Sequence, residues 1–74
     1  RMCPALAQRA RVAALIVALH YRDRLVDRHS LRQMEHTIQH AVDGALWDCC
    51  IGCSVSVQIG PQGYADVRLS FRSR

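Results

Sequence analysis

A chain of 74 residues has room for one domain, which excludes a catalytic subdomain mounted on a separate scaffold. Half of the residues are hydrophobic, which excludes a disordered chain, and a chain this short buries only about 60% of its unfolded surface. The net charge of +4 favours an anionic partner, although ten Arg with no Lys and no Asn also suggest a GC-rich genome.

The first predicted element is a helix over about residues 4–26, which begins at Pro4, where a first helical turn tolerates proline. Residues 12–19 read VAALIVAL and are apolar on every side of a helix. A helix that is apolar all round should be buried all round. Three β-branched residues in this run leave a buried strand as the alternative.

This eight-residue run is also the longest apolar run of the chain, against the roughly 20 residues that cross a bilayer. The residues after it offer no signal-peptide cleavage site. We therefore expect a cytoplasmic protein without a membrane partner. Its four cysteines should be reduced thiols or metal ligands rather than disulfides.

The second predicted element is an amphipathic helix over about residues 31–46. Ser30 and Gln33 have the spacing of a capping box, which predicts Ser30 as the N-cap. Trp47 should fold back onto the core. Six apolar residues share about one third of the helix circumference: Leu31, Met34, Ile38, Ala41, Val42 and Ala45.

The periodicity then changes to two, which predicts a β-hairpin with a turn at Gly60–Gly63. The expected inward residues are Cys49, Ile51, Cys53, Val55, Val57 and Ile59 on the first strand, and Ala65, Val67, Leu69 and Phe71 on the second. The fold class is a single α+β domain in the order α-α-β-β. Two helices and one hairpin cannot surround an apolar first helix, so a homodimer, or docking onto a larger partner, is expected, with helix 1 or the hairpin edge at the interface.

Zinc is the sharpest site hypothesis, because His36, His40, Cys50 and Cys53 form two chelating pairs within 18 positions. Helical geometry opposes it, since His36 and His40 fall on the side of the helix opposite its apolar face. A second set, His36, His40 and Asp43, is more typical of adventitious binding. No metal or other cofactor is therefore expected, and a small zinc-stabilised domain held by the first set stays as an alternative. These HxxxH and CxxC spacings are general and resemble no particular family.

Enzymatic activity is not expected. The carboxylates are scattered, and no cysteine or serine lies in a sequence typical of a nucleophile with its base. The pair Cys50 and Cys53 lies at the start of a strand, away from the helix N-terminus that lowers a thiol pKa in redox motifs.

Nucleic-acid binding is the principal alternative function. Arg22, Arg24, Arg28 and Arg32 cluster around the turn between the helices, as phosphate-contacting residues would. Interleaved acidic residues cancel much of that charge, and no aromatic stacking platform is visible.

The preferred function is binding of a protein partner by a small accessory or regulatory protein. Small motif-free chains from GC-rich genomes are often phage or mobile-element proteins that inhibit or modulate one host machine. Tyrosine and arginine dominate binding hot spots, which favours the outer faces of the second helix and the hairpin. The predicted partner-binding residues are Arg28, Arg32, Gln33, His36, His40, Tyr64, Arg68 and Arg72.

Overall fold

The computed structural model describes residues 4–21 and 27–73, which form two helices followed by an antiparallel hairpin. Helix α1 spans Pro4–Leu19 and helix α2 spans Arg28–Ala45. Strand β1 spans Ile51–Ile59 and strand β2 spans Ala65–Ser73. The predicted α+β class and the α-α-β-β order are confirmed. The predicted continuation of helix 1 through residues 22–26 lies outside the described residues.

The two helices pack through small side chains of α1. Ala7, Ala10 and Ala14 are buried and recur at helical spacing, so the backbone of α1 can approach α2 closely. The facing row of α2 is aliphatic and fully buried at Ile38 and Val42. At the far end of α2 the guanidinium of Arg9 donates from Nη1 to the carbonyl oxygen of Ala45 at 3.1 Å, which satisfies one of the last carbonyls of the helix.

The hairpin pairs with Val55 opposite Leu69 at its centre, and its turn closes through a hydrogen bond from Gly60 N to Tyr64 O at 2.7 Å. Gly63 adopts a φ of 85°, the left-handed region that glycine occupies without a Cβ clash. The inward and outward alternation predicted for both strands is confirmed, except that inward Ile59 is 49% exposed at the end of β1.

The helices cover the two strands unequally. Helix α2 packs over β1, where Cys53, Val55 and Val57 are buried. An open groove of about 700 Å³ separates α1 from β2, so the inward side chains of β2 are only half-buried. The groove is lined by Arg11, Ala14, Leu15, Ala18, Ala65, Val67, Arg68, Leu69, Ser70 and Phe71.

The predicted N-cap of the second helix was wrong. Asp27 caps the helix, and its Oδ1 accepts a hydrogen bond from Ser30 N at 2.8 Å, so Ser30 lies inside the first turn. That hydrogen bond, with smaller effects from the Ser30 side chain and from His29, lowers the pKa of the Asp27 carboxyl. Both Ser and Asp are strong caps, and Asp27 also adds a negative charge at the positive end of the helix dipole.

The single chain leaves one side of helix 1 exposed, so the burial all round that its apolar run predicts would need a second chain. Val12 is 44% exposed, Leu15 58%, Ile16 55% and Leu19 50%. Only α2 packs closely against α1, so the side of α1 that faces away from α2 has no covering element among the described residues. No helix in the described ranges is long and apolar enough to cross a membrane.

Trp47 does not fold back onto the core. It is 77% exposed, whereas Leu46 is 1% exposed. Leu46 follows Ile38 and Val42 at intervals of four and therefore extends the buried row of α2 by one position. Trp47 lies one residue further along, past the helix, and projects into solvent.

Candidate functional site

The outer face of α2 carries a row of basic and imidazole side chains, which we call the basic row: Arg28, Arg32, His36 and His40. Successive members are four residues apart, so they lie on one side of the helix about 6 Å apart along its axis. All four are exposed. The rings of His36 and His40 make an edge contact, with 4.5 Å between centroids and planes inclined by 80°.

The acidic residues of this region are occupied by contacts within the fold. Asp27 caps α2, and Glu35 Oε2 accepts a hydrogen bond from Val57 N at 3.3 Å. Asp43 Oδ1 accepts one from Gln39 Nε2 at 3.0 Å. Within residues 4–21 and 27–73, no carboxylate lies within 4 Å of the guanidinium groups of Arg28 or Arg32. The basic row therefore keeps its positive charge available to an external ligand.

A second row on α2, adjacent to the basic row, closes one edge of the sheet. Gln39 donates from Nε2 to Cys53 O at 2.7 Å and accepts from Val55 N at Oε1 at 2.9 Å, while Glu35 accepts from Val57 N. We call these three hydrogen bonds the edge clasp. Side chains of α2 thus occupy the main-chain positions where an additional strand would pair with β1.

Sequence reasoning missed the edge clasp and interpreted Gln39 and Glu35 only as members of a polar helix face. The available signal was their spacing of four residues, between the apolar row of α2 and the basic row. The role of Arg9 was also missed. No local pattern announces it, because Ala45 and Asp48 lie far away along the chain and are brought near only by helix packing.

The histidine and cysteine pairs lie on different surfaces. His36 and His40 are exposed on the outer face of α2, Cys53 is buried on the core face of β1, and Cys50 is exposed just before β1. In the part of the chain that the structure describes, no three His, Cys, Asp or Glu side chains gather closely enough to hold a metal ion. Asp43 has its carboxylate bonded to Gln39 rather than grouped with the two imidazoles.

Two of the thiols are held in the protonated form. Desolvation by burial raises the pKa of Cys53, and the nearby Asp43 carboxylate raises it further. Desolvation also raises the pKa of Cys49, together with a hydrogen bond from its Sγ to Asp48 Oδ1 at 3.5 Å. A raised pKa lowers the fraction of thiolate, which is the nucleophilic form of cysteine. Cys49, Cys50 and Cys53 are all free thiols.

The outer face of the hairpin is polar and partly self-paired. Arg68 Nε lies 3.2 Å from Asp66 Oδ2, and Arg72 Nη2 donates to Ser54 Oγ at 2.9 Å. Tyr64, beside the turn, is 70% exposed. All eight residues predicted to bind a partner are therefore exposed, but they divide between two surfaces, α2 and the hairpin.

The residues of the nucleic-acid alternative divide differently. Arg28 and Arg32 belong to the basic row, whereas Arg22 and Arg24 lie outside the described residues. On the outer face of the two strands, the exposed side chains are Ser56, Gln58, Asp66, Arg68, Ser70 and Arg72, without an aromatic ring on which a base could stack.

Comparison with protein-family models, with curated proteins and with solved structures finds no match to this chain. The class that the fold defines is a two-layer α+β domain in which α2 packs on a hairpin and closes one of its edges.

Proposed function

We propose that this chain is a non-enzymatic binding module that recognises an acidic surface of a protein partner through the basic row of α2. The supporting observation is the distribution of charge on that helix. Asp27, Glu35 and Asp43 are engaged in hydrogen bonds of the fold, while the guanidinium groups of Arg28 and Arg32 have no carboxylate partner among the described residues. Opposite potentials across an interface favour association and orient it.

The outer face of the hairpin is proposed as the secondary contact surface. It offers Tyr64 as an exposed aromatic anchor, with Arg68 and Arg72 as further hydrogen-bond donors. Arg68 carries its own carboxylate partner, Asp66, so this face contributes less net charge than the basic row. The proposed module is a homodimer, as expected for a chain whose first helix keeps an uncovered apolar side.

A protein partner is favoured over nucleic acid by the composition of the two faces. Asp66 lies at the turn end of the exposed strand face, where it would repel phosphates. The strands contribute no ring to this face, so Tyr64 in the adjoining turn is not part of a row of rings on which successive bases could stack. The imidazole nitrogens of His36 and His40 can also form hydrogen bonds with uncharged protein groups.

The proposal can be tested by selecting a displayed library of random twelve-residue peptides against the purified chain. We expect the enriched peptides to contain more Asp and Glu than the starting library. Arg32→Gln should weaken their binding about threefold, the size of one exposed ion pair. Gln62→Glu is the matched control, because it also lowers the net charge by one but lies in the hairpin turn, and it should leave the affinity unchanged.

Two outcomes would contradict the proposed binding of an acidic protein surface. Enriched peptides without an acidic bias, or an equal loss of affinity in Arg32→Gln and Gln62→Glu, would show that the basic row does not direct binding. Alternatively, a labelled random-sequence duplex or single strand could bind more tightly than the selected peptides, with an affinity that falls steeply with salt. That result would assign the basic row to nucleic acid.

A further inference from the structure

The two edges of the hairpin differ in their hydrogen bonding. Val55 N and Val57 N bond to side chains of α2, so the odd-numbered residues of β1 direct their main-chain groups away from β2. The even-numbered residues therefore form the ladder, as the bond between Gly60 and Tyr64 also indicates. By the register of the hairpin, the odd-numbered residues of β2 direct N–H and C=O groups outward.

This outer edge of β2 is open. Among residues 4–21 and 27–73, no hydrogen bond reaches the outward main-chain groups of Val67, Leu69 or Phe71. An open edge of nine residues is a template for another strand. The edge of β1 is closed by the edge clasp, so β2 is the edge at which this sheet can grow.

We propose that a second copy of this chain occupies that edge, with the two β2 strands antiparallel and Leu69 of each copy on the two-fold axis. The inference rests on the homodimer of the proposed function and is independent of the acidic partner. The product is a four-stranded sheet in the order β1-β2-β2-β1, with both closed edges outermost. Five outward-facing residues per strand would exchange up to about ten main-chain hydrogen bonds.

Charge and the number of paired residues together select this register. Because only odd-numbered residues face outward, odd pairs with odd, and the alternatives are shifts of the axis along β2. With Leu69 on the axis, all nine residues pair and Asp66 of each copy lies opposite Arg72 of the other. Shifting the axis to position 68 opposes Arg68 to itself, and shifting it to position 70 opposes Arg68 to Arg72. Shifting it to position 67 opposes Asp66 to Arg68 but pairs only residues 65–69 of the nine. Like charges directly opposite each other are destabilising.

The same arrangement covers the apolar side of α1. At about 100° per residue, Val12, Ile16 and Leu19 lie on the side of α1 opposite the alanines that face α2. Helix α2 lies over β1, and α1 lies beside α2 across the groove from β2. The side of α1 that faces away from α2 therefore faces the two-fold axis, and hence α1 of the second copy. Leu15, between this side and the groove, would pack toward the half-buried face of β2.

The exposed area is also in the range that a dimer requires. The chain exposes 5609 Å², about 1000 Å² more than the roughly 4600 Å² expected for a compact monomer of its mass. A stable interface buries about 800 Å² on each partner. A second copy is therefore large enough to bury this area. It also fits the open edge of β2, the charges of Asp66 and Arg72, and the apolar side of α1.

A charge swap tests the register. Asp66→Arg alone and Arg72→Asp alone each oppose like charges across the axis, and each should weaken dimerisation about tenfold by sedimentation equilibrium. The double variant Asp66→Arg with Arg72→Asp restores opposite charges and should return to within about threefold of the wild-type dissociation constant. A double variant at least as weak as both single variants overturns this register.

A cross-link tests the axis independently of charge. Only the residue on the axis lies opposite itself, at a Cα separation of about 5.5 Å that a disulfide can span. Leu69→Cys should therefore form a disulfide between copies under mild oxidation, identified as a 69–69 linked peptide by mass spectrometry. Val67→Cys is the matched control, because its two copies lie roughly 14 Å apart. Equal cross-linking of both variants, or none with Leu69→Cys, overturns the proposal.

The competing occupant is a strand from another protein. In that case the purified wild-type chain would sediment as a monomer of 8.3 kDa at micromolar concentration, which rejects a second copy. Ile16→Asp should produce a folded monomer, because this residue is exposed in the single chain and would be covered only in the dimer. That monomer should still bind the selected acidic peptides, whereas Arg32→Gln should remain dimeric, so the two proposals can fail separately.

Discussion

Gln39 carries most of the edge clasp, so its truncation gives the sharpest test of how the sheet is held. Replacing it with alanine removes the bonds to Cys53 O and Val55 N, at 2.7 and 2.9 Å, from partly buried main-chain groups. Each bond contributes about 0.5–1.5 kcal/mol net, so Gln39→Ala should lower the free energy of unfolding by about 1–3 kcal/mol.

The matched control is Gln33→Ala on the same helix. Gln33 is exposed and makes no side-chain hydrogen bond with described residues, so its loss should change the free energy of unfolding by less than about 0.5 kcal/mol. Both variants replace a helical glutamine with alanine, so the change in helix propensity is the same in each and cancels in the comparison. Urea unfolding followed by circular dichroism measures the free energy of unfolding of both variants. The protein concentration must be the same in each experiment, because a dimer is stabilised by mass action. Equal values for the two variants would refute the edge clasp.

Three further expectations concern the cap, the tryptophan and the thiols. The pKa of the Asp27 carboxyl is lowered on folding, so the charged carboxylate should stabilise the fold relative to Asp27→Asn. This stabilisation should be complete above the ordinary pKa of 3.8 and should disappear as the pH falls through the lowered pKa of the folded state. A stability difference unchanged in strong acid contradicts this. Trp47 is 77% exposed, so its fluorescence emission should shift little on unfolding, and a large red shift would place the indole in an interface or core. Iodoacetamide should alkylate exposed Cys50 faster than buried Cys53, whose pKa is raised, as peptide mapping over time would show, and the reverse order would contradict the described burial.

The sequence was sufficient to predict the elements that bury only one side, because their apolar residues then repeat with the period of a helix or a strand. Met34, Ile38 and Val42 repeat with the helical period because one side of α2 faces the core, and Cys53, Val55 and Val57 alternate because one side of β1 does. The strand order and the turn followed from the same patterns. The predicted start of α2 was wrong because two adequate caps lie three residues apart, and local sequence does not rank them.

What the sequence could not supply are contacts between distant segments. The edge clasp joins residues 14 to 22 positions apart, and Arg9 reaches α2 and the segment after it across 36 to 40 positions. The uncovered side of α1 is a related case, because an all-apolar helix predicts burial but not which chain supplies the cover. The charge of the basic row was visible in sequence, but its availability depended on where Glu35 and Asp43 bond.

The most direct test of a dimer joined through β2 is residue-resolved amide hydrogen exchange measured by NMR. Even-numbered amides of β2, such as that of Arg68, bond within the hairpin and should be protected at any concentration. The amides of Val67, Leu69 and Phe71 point outward and should be protected only where the protein is dimeric. Protection that appears at these three residues as concentration rises, and is absent in Ile16→Asp, is the predicted result. Rapid exchange at Leu69 in a sample shown by sedimentation to be dimeric would contradict the account.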